Sequence, residues 1–185
     1  MSAPSASHAP GVRELADEER IRRLMRALGE AARREGVCYL TGGATAVLVG
    51  WRTATVEVDI ALEPEQEEVL REVVRLKDEL SVNVELASPA DFVPLPRGWQ
   101  TRSPLVERAG RLTFRHFDFY SQALAKLERG HAQELADVRE MLERGLIEGA
   151  RLRSGYAEIE PELFRFPAID PADFRTSVEE LLGSP

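Results

Sequence analysis

Glu57 and Asp59 stand two apart in the run Thr55-Val56-Glu57-Val58-Asp59-Ile60, in which Val56, Val58 and Ile60 alternate with Thr55, Glu57 and Asp59. A strand sends alternate side chains to one face, so the two carboxylates project together, about 6.5–7 Å apart along the backbone. Hard oxygen donors at that spacing suit a divalent cation such as Mg²⁺. A second alternating run, Ser81 to Ala87, sets Val82, Val84 and Leu86 against Asn83 and Glu85, so a third carboxylate joins the pair if the two strands are neighbours. Ahead of both runs lies Thr41-Gly42-Gly43, followed by the small apolar stretch Ala44 to Val49. Two glycines opening a short buried helix let a ligand approach the backbone closely, and the N–H groups of a helix N-terminus suit phosphate. Together these are the parts of a phosphoryl-transfer site, where metal ions stabilise the entering and leaving oxygens.

The elements that must position these residues follow from periodicity. From Arg13 to Glu35, apolar residues at Leu15, Ile21, Leu24, Met25, Leu28, Ala31 and Ala32 trace one helical face, and Gly36 is expected to stop that helix. Val37 to Leu40 reads as a buried strand, and Thr55 to Leu62 as a strand with an acidic face. An acidic turn, Glu63 to Glu68 with Pro64, opens a helix through Val69, Leu70, Val73, Val74 and Leu80. Residues Ser88 to Arg102 hold three prolines and no period, which predicts a long loop. Leu112 to Tyr120 reads as a further strand. Helices are expected over Ser121 to Arg129, Ala132 to Arg144 and Pro171 to Leu182, the last begun by an Asp170 cap. This order predicts an α+β fold, a small mixed sheet flanked by helices, with the C-terminal helices closing a cleft over the acidic strands. One domain is expected over residues 13–185, behind a disordered leader at residues 1–12.

Composition narrows the setting. The chain has 185 residues, 24 Lys and Arg against 32 Asp and Glu, and a net charge of −8. That is material for one core that needs no disulfide or structural metal, and Cys38 is the single cysteine. The longest apolar run, Ala44 to Gly50, is far short of the ~20 residues that span a bilayer, so a membrane role is not expected. Without a secretory signal pattern, a cytoplasmic address is the default. The negative charge argues against whole-surface attraction to nucleic acid and leaves only a local basic patch, here Arg20, Arg22, Arg23, Arg26, Arg33 and Arg34.

The stretch Thr41-Gly42-Gly43 followed, after a gap, by Arg52-Thr53-Ala54-Thr55-Val56-Glu57-Val58-Asp59-Ile60 resembles the signature of the DNA polymerase β-type nucleotidyltransferases. Small bacterial members of that superfamily include abortive-infection and toxin–antitoxin proteins. The resemblance spans residues 37 to 140. It implies that Thr41, Gly42, Gly43, Thr45, Arg52 and Lys126 hold nucleotide, and that Glu57 and Asp59 bind Mg²⁺ or Mn²⁺. It further implies that Glu85, the third acid, joins the metal site and activates the attacking hydroxyl. Lys126, within Ala123 to Arg129, and Asp137, within Glu134 to Val138, resemble a helical Lys and following acid of the abortive-infection branch. The expected reaction is transfer of a nucleotidyl group from a nucleoside triphosphate to a hydroxyl of tRNA, protein or a small molecule. Glu57 and Glu85 stand where the family usually has Asp, so a second reading stays open: a binding module without catalysis, working with a cognate toxin or antitoxin partner or as a homodimer.

The remaining chemistry-bearing residues have plainer readings. Arg52 is a loop cation that either closes over triphosphate or pairs with the carboxylates. His116 is expected in packing and His131 at the surface. Phe92, Trp99, Phe114, Phe117 and Phe119 are core or loop anchors, one of which could stack on a base. Cys38, in an apolar strand, is expected to be inert.

Overall fold

In the computed structural model, which describes residues 15–183, the chain enters through a two-residue strand, β1 (Ala16–Asp17). The leader expected at residues 1–12 lies outside the described residues. Asp17 accepts a hydrogen bond from the Arg20 N–H at 2.9 Å and so caps α1 (Glu18–Ala31), which buries Ile21, Leu24, Met25 and Leu28. This helix is shorter than its periodicity predicts. Leu15 is exposed, and Ala32 already has extended backbone, so Gly36 opens the next strand rather than stopping the helix.

Strand β2 (Gly36–Thr41) runs directly into α2 (Gly42–Val49), which ends at a left-handed Gly50. A short strand β3 (Ala54–Thr55) pairs with β1, and β4 (Glu57–Glu63) begins after Val56. The single strand expected over residues 55–62 is therefore divided: Thr55 belongs to a separate ribbon, and Val56 faces solvent instead of joining Val58 and Ile60 in the core. Helix α3 (Glu67–Glu79) starts after Gln66 rather than at Pro64, and it leaves Val74 exposed. Strand β5 (Asn83–Leu86) follows; Val82 and Val84 are buried, but Leu86 at the sheet edge is exposed.

The loop expected after residue 88 holds a turn of 3-10 helix at Pro89–Asp91, capped reciprocally by Ser88 and Asp91, and a short helix α4 (Trp99–Arg102). Two strands then form a hairpin, β6 (Leu105–Ala109) and β7 (Leu112–His116). The aromatic run that reads as one strand to Tyr120 stops at His116, because Asp118 caps α5 (Phe119–Arg129) by accepting from the Ser121 N–H and hydroxyl. Arg102 pairs with both Asp118 oxygens, at 3.0 and 2.9 Å, and fixes the start of that helix. The chain closes with α6 (Ala132–Glu143), α7 (Gly149–Ile159), a 3-10 segment at Glu160–Arg165, and α8 (Pro171–Leu182), capped by Asp170 as expected.

The sheet has the order β5-β4-β2-β7-β6 and is mixed, with β2–β4 and β6–β7 antiparallel and β2–β7 and β4–β5 parallel. The α+β architecture is thus as the sequence order implies. Cys38, Leu40, Val58, Ile60, Val84 and Phe114 face α1 and α3 in one apolar cluster. A second cluster forms among α5, α6, α7 and α8, around Leu124, Leu127, Val138, Met141, Leu152 and Phe174. The acids alternate with core residues on β4 and β5, so they occupy the sheet face turned away from α1 and α3. Among the described residues, no helix is long and apolar enough to cross a membrane.

Candidate active site

Register brings the three acids together. Asp59 lies opposite Thr41 on one side and Glu85 on the other, and Glu57 lies opposite Asn83. Carboxylate oxygens of Glu57, Asp59 and Glu85 come within 4.8 Å of one another. Between them, the Asn83 side-chain amide donates to Glu57 Oε1 and Glu85 Oε1, both at 3.2 Å. Burial, then the charges of Glu57 and Glu85, push the Asp59 carboxyl up to about 6, while Arg129 and Lys126 pull it down. Three crowded carboxylates of hard oxygen, one of them reluctant to ionise without a neutralising partner, are a donor set that could hold a divalent cation.

The glycines set α2 against these acids. Gly42 has φ +57, and a Cβ there would lie 2.6 Å from Asp59 Oδ2. A Cβ on Gly43 would lie 1.9 Å from Thr55 Oγ1. Only glycine allows this approach of the α2 N-terminus to β4. The Gly42 N–H donates to Gln122 Oε1 at 3.0 Å, and Gln122 Nε2 donates to the Phe117 carbonyl at 2.8 Å, which ties this turn to α5. Gln122 and Asn83 carry no motif, and nothing short of the register points to them.

The triad and the glycine turn open into a cleft of about 510 Å³. Its walls also include Thr41, Gly42, Gly43, Arg52, Phe92, Lys126, Arg129, Gln133 and Glu134. Two of the residues expected to hold nucleotide or act in catalysis sit behind the wall. Thr45 is fully buried; its hydroxyl donates to the Leu40 carbonyl at 3.0 Å and lies 3.1 Å from His116 Nδ1, so it supports the turn from beneath. Asp137 is buried too, and it gathers cations: Lys126 Nζ donates to it at 2.7 Å, Arg52 Nη2 reaches both its oxygens at 2.7 Å, and Trp51 Nε1 donates at 3.0 Å. Arg52 therefore pairs with Asp137 and not with the triad. Two cations on one carboxylate leave this wall net positive.

Elsewhere, His116 is buried, which holds its imidazole down at about 4 and keeps it neutral, and His131 is exposed. Trp99 stacks on Phe117 at 4.4 Å with Tyr39 against both, while Phe114 and Phe119 are buried. Cys38 is enclosed, and its thiol is pushed up by burial. The arginine stripe expected on the first helix is broken up: Arg33 and Arg34 lie past its end, Arg34 donates to the Glu65 carbonyl, and Arg22 pairs with Glu18 and Glu107.

Residues 19–162 match the family model described as "Nucleotidyltransferase of unknown function (DUF6036)", a match over most of the chain. No curated protein and no solved structure matches it.

Proposed function

We propose, from the premise that this chain belongs to the nucleotidyltransferase family of unknown function DUF6036, that it moves a nucleotidyl group from a nucleoside triphosphate to a hydroxyl acceptor. The observation that carries this reading is the carboxylate triad at the foot of the glycine-bracketed α2 N-terminus. Glu57, Asp59 and Glu85 would hold Mg²⁺ or Mn²⁺, which when bound supplies charge neutralisation and orientation at the phosphates. Gly43 and the first turn of α2 seat phosphate oxygens on backbone N–H groups. Lys126 and Arg52, held by the single carboxylate of Asp137, offset the charge that builds on the leaving pyrophosphate. Glu85, at the exposed edge of the sheet, takes the proton from the acceptor hydroxyl as its oxygen bonds to the α-phosphorus and the bond to the β-phosphate oxygen breaks.

The test incubates the purified chain with each α-labelled triphosphate, Mg²⁺ or Mn²⁺, and tRNA, protein extract or small-molecule acceptors. Label transferred by the wild type and lost in Asp59→Asn is the expected result. Glu57 and Glu85 favour a second reading, a nucleotide-binding module that acts with a toxin or antitoxin partner; nucleotide binding without transfer under either metal would select it. No binding by the wild type ends both readings.

A further inference from the structure

We propose that the Phe92–Arg129 corner of the cleft is a nucleobase seat, a stacking platform formed by Phe92 and Arg129 with Glu134 at its edge; this rests on the nucleotidyl-transfer reading of the same cleft. Arg129 is the last residue of α5, Gly130 turns the chain with φ +67, and Glu134 lies in the first turn of α6. Across this corner Arg129 Nη2 pairs with Glu134 Oε1. A guanidinium and a carboxylate that close would ordinarily meet fork to fork, which satisfies both ends. Here Arg129 Nε and Glu134 Oε2 are instead buried with no partner, on side chains that both line the cleft. The Arg129 guanidinium carbon sits 4.1 Å from the centroid of the Phe92 ring, so the cation is held over an aromatic face.

The cations of the cleft are partnered in two different ways. Lys126 and Arg52 share one carboxylate, so the wall beside the glycine turn keeps a net positive charge suited to phosphates. Arg129 is matched one to one by Glu134 and held over Phe92, so this corner offers planar surface without the surplus cation of the Lys126–Arg52 pair, which suits a base. Lys126 and Arg129 lie three residues apart on α5, just under one turn and about 4.5 Å along its axis, so one helix carries a cation of each kind into the cleft. A cleft of about 510 Å³ falls within the size that small-molecule sites have.

The seat is tested by measuring the affinity of the Mg²⁺ complexes of ATP, GTP, CTP and UTP, and of inorganic tripolyphosphate, for the wild type, Phe92→Ala, Phe92→Leu and Arg129→Ala, with thermal melting to confirm that each variant folds. Loss of a stacking partner is expected to weaken at least one nucleotide about tenfold while tripolyphosphate stays within about twofold. Phe92→Leu keeps the apolar bulk and should lose nucleotide affinity nonetheless. Glu134→Gln, which turns one carboxylate oxygen into a donor, is expected to change the ranking of the four bases. Equal weakening of nucleotide and tripolyphosphate by Arg129→Ala would make Arg129 a phosphate contact and overturn the proposal, as would unchanged nucleotide affinity in both Phe92 variants. A wild type that binds tripolyphosphate and nucleotide equally also overturns the seat while leaving the transfer reading intact; a wild type that binds neither removes both.

Discussion

Asp59 sits where burial and two like charges oppose its ionisation, which makes it a stability element as well as a ligand candidate. Its folded-state value of about 6 lies above the ordinary 3.8, so the native state holds this proton more tightly than the unfolded chain. Its contribution is therefore fully present below about 3.8 and is lost as pH rises through about 6, by at most about 3 kcal/mol at 1.36 kcal/mol per unit. His116 works the other way: its folded value of about 4 lies below 6.5, so its contribution is present above 6.5 and is lost as pH falls through 4. The two slopes oppose each other between about pH 4 and 6. Asp59→Asn removes one of them. In metal-free buffer the variant is expected to be about 1–3 kcal/mol more stable than wild type at pH 7, and to lose stability more steeply on acidification. Urea unfolding between pH 4 and 8 in chelator reads both effects, and identical slopes for the two proteins would contradict the account. The glycines give a second test at this scale. A methyl at Gly43 meets Thr55 Oγ1 at 1.9 Å and Thr55 Cβ at 2.7 Å, so Gly43→Ala is expected to cost about 1–3 kcal/mol by overpacking, while Gly43→Ala with Thr55→Ala, which removes the hydroxyl, recovers part of it.

Asp137 joins three elements that are distant in the chain: the segment after α2 through Trp51 and Arg52, α5 through Lys126, and α6 through its own backbone. Breaking a buried ion pair by removing one partner costs about 3–5 kcal/mol, because the other charge stays buried and unpaired. Asp137→Ala is thus expected to lower the melting temperature by about 10 °C in a chain of this size, and Lys126→Met with Asp137→Leu to regain more than half. A double variant no more stable than Asp137→Ala would mean that the ion pair is not what joins the elements. Elements of this kind were legible to different degrees. The acids on β4 and β5 showed because period two survives in Glu57 to Ile60 and Asn83 to Leu86, and the α8 cap showed because Asp170-Pro171 is a local signal. Strand β6 did not show: it is an edge strand with a register shift between Leu105 and Glu107 and an exposed Leu105, so no apolar alternation marks it. Helix α7 carries Gly149 and Gly155 among arginines, which blunts its apolar face. In the sequence, Arg129 and Glu134 are a last-turn cation and a first-turn acid, placed where helix dipoles favour them, and nothing there sets them apart. Their meeting across Gly130 is a property of the corner, which neither helix pattern contains.

At the scale of the molecule, the cleft runs between two apolar clusters, one built by the sheet with α1 and α3 and the other by α5 to α8. Polar ties cross it, Gln122 to Gly42 and Arg52 and Trp51 to Asp137, beside the packing of Val49 and Trp51 on the second cluster. A ligand that touches both walls therefore couples two bodies that each keep a core of their own. The net charge of −8 bears on this, because the triad concentrates part of the excess on the sheet wall, where, in the proposed reaction, a divalent cation would offset it before a triphosphate approaches. Ligand bound only to the native state adds RT ln(1 + [L]/Kd), about 2.7 kcal/mol at a hundredfold excess over Kd, and that stabilisation falls on the contacts the ligand spans. Hydrogen exchange separates the two steps. Mg²⁺ alone is expected to slow amide exchange in residues 41–44, 57–60 and 83–86, the sheet wall. Mg²⁺ with a nucleoside triphosphate is expected to extend protection to residues 122–134, across α5 and the α5–α6 corner. Asp59→Asn should lose the first effect and most of the second, since the phosphates then lack their counter-charge. Protection that stays on the sheet wall after nucleotide is added would show that α5 does not close on the ligand, and the two clusters would then be independent of the chemistry between them.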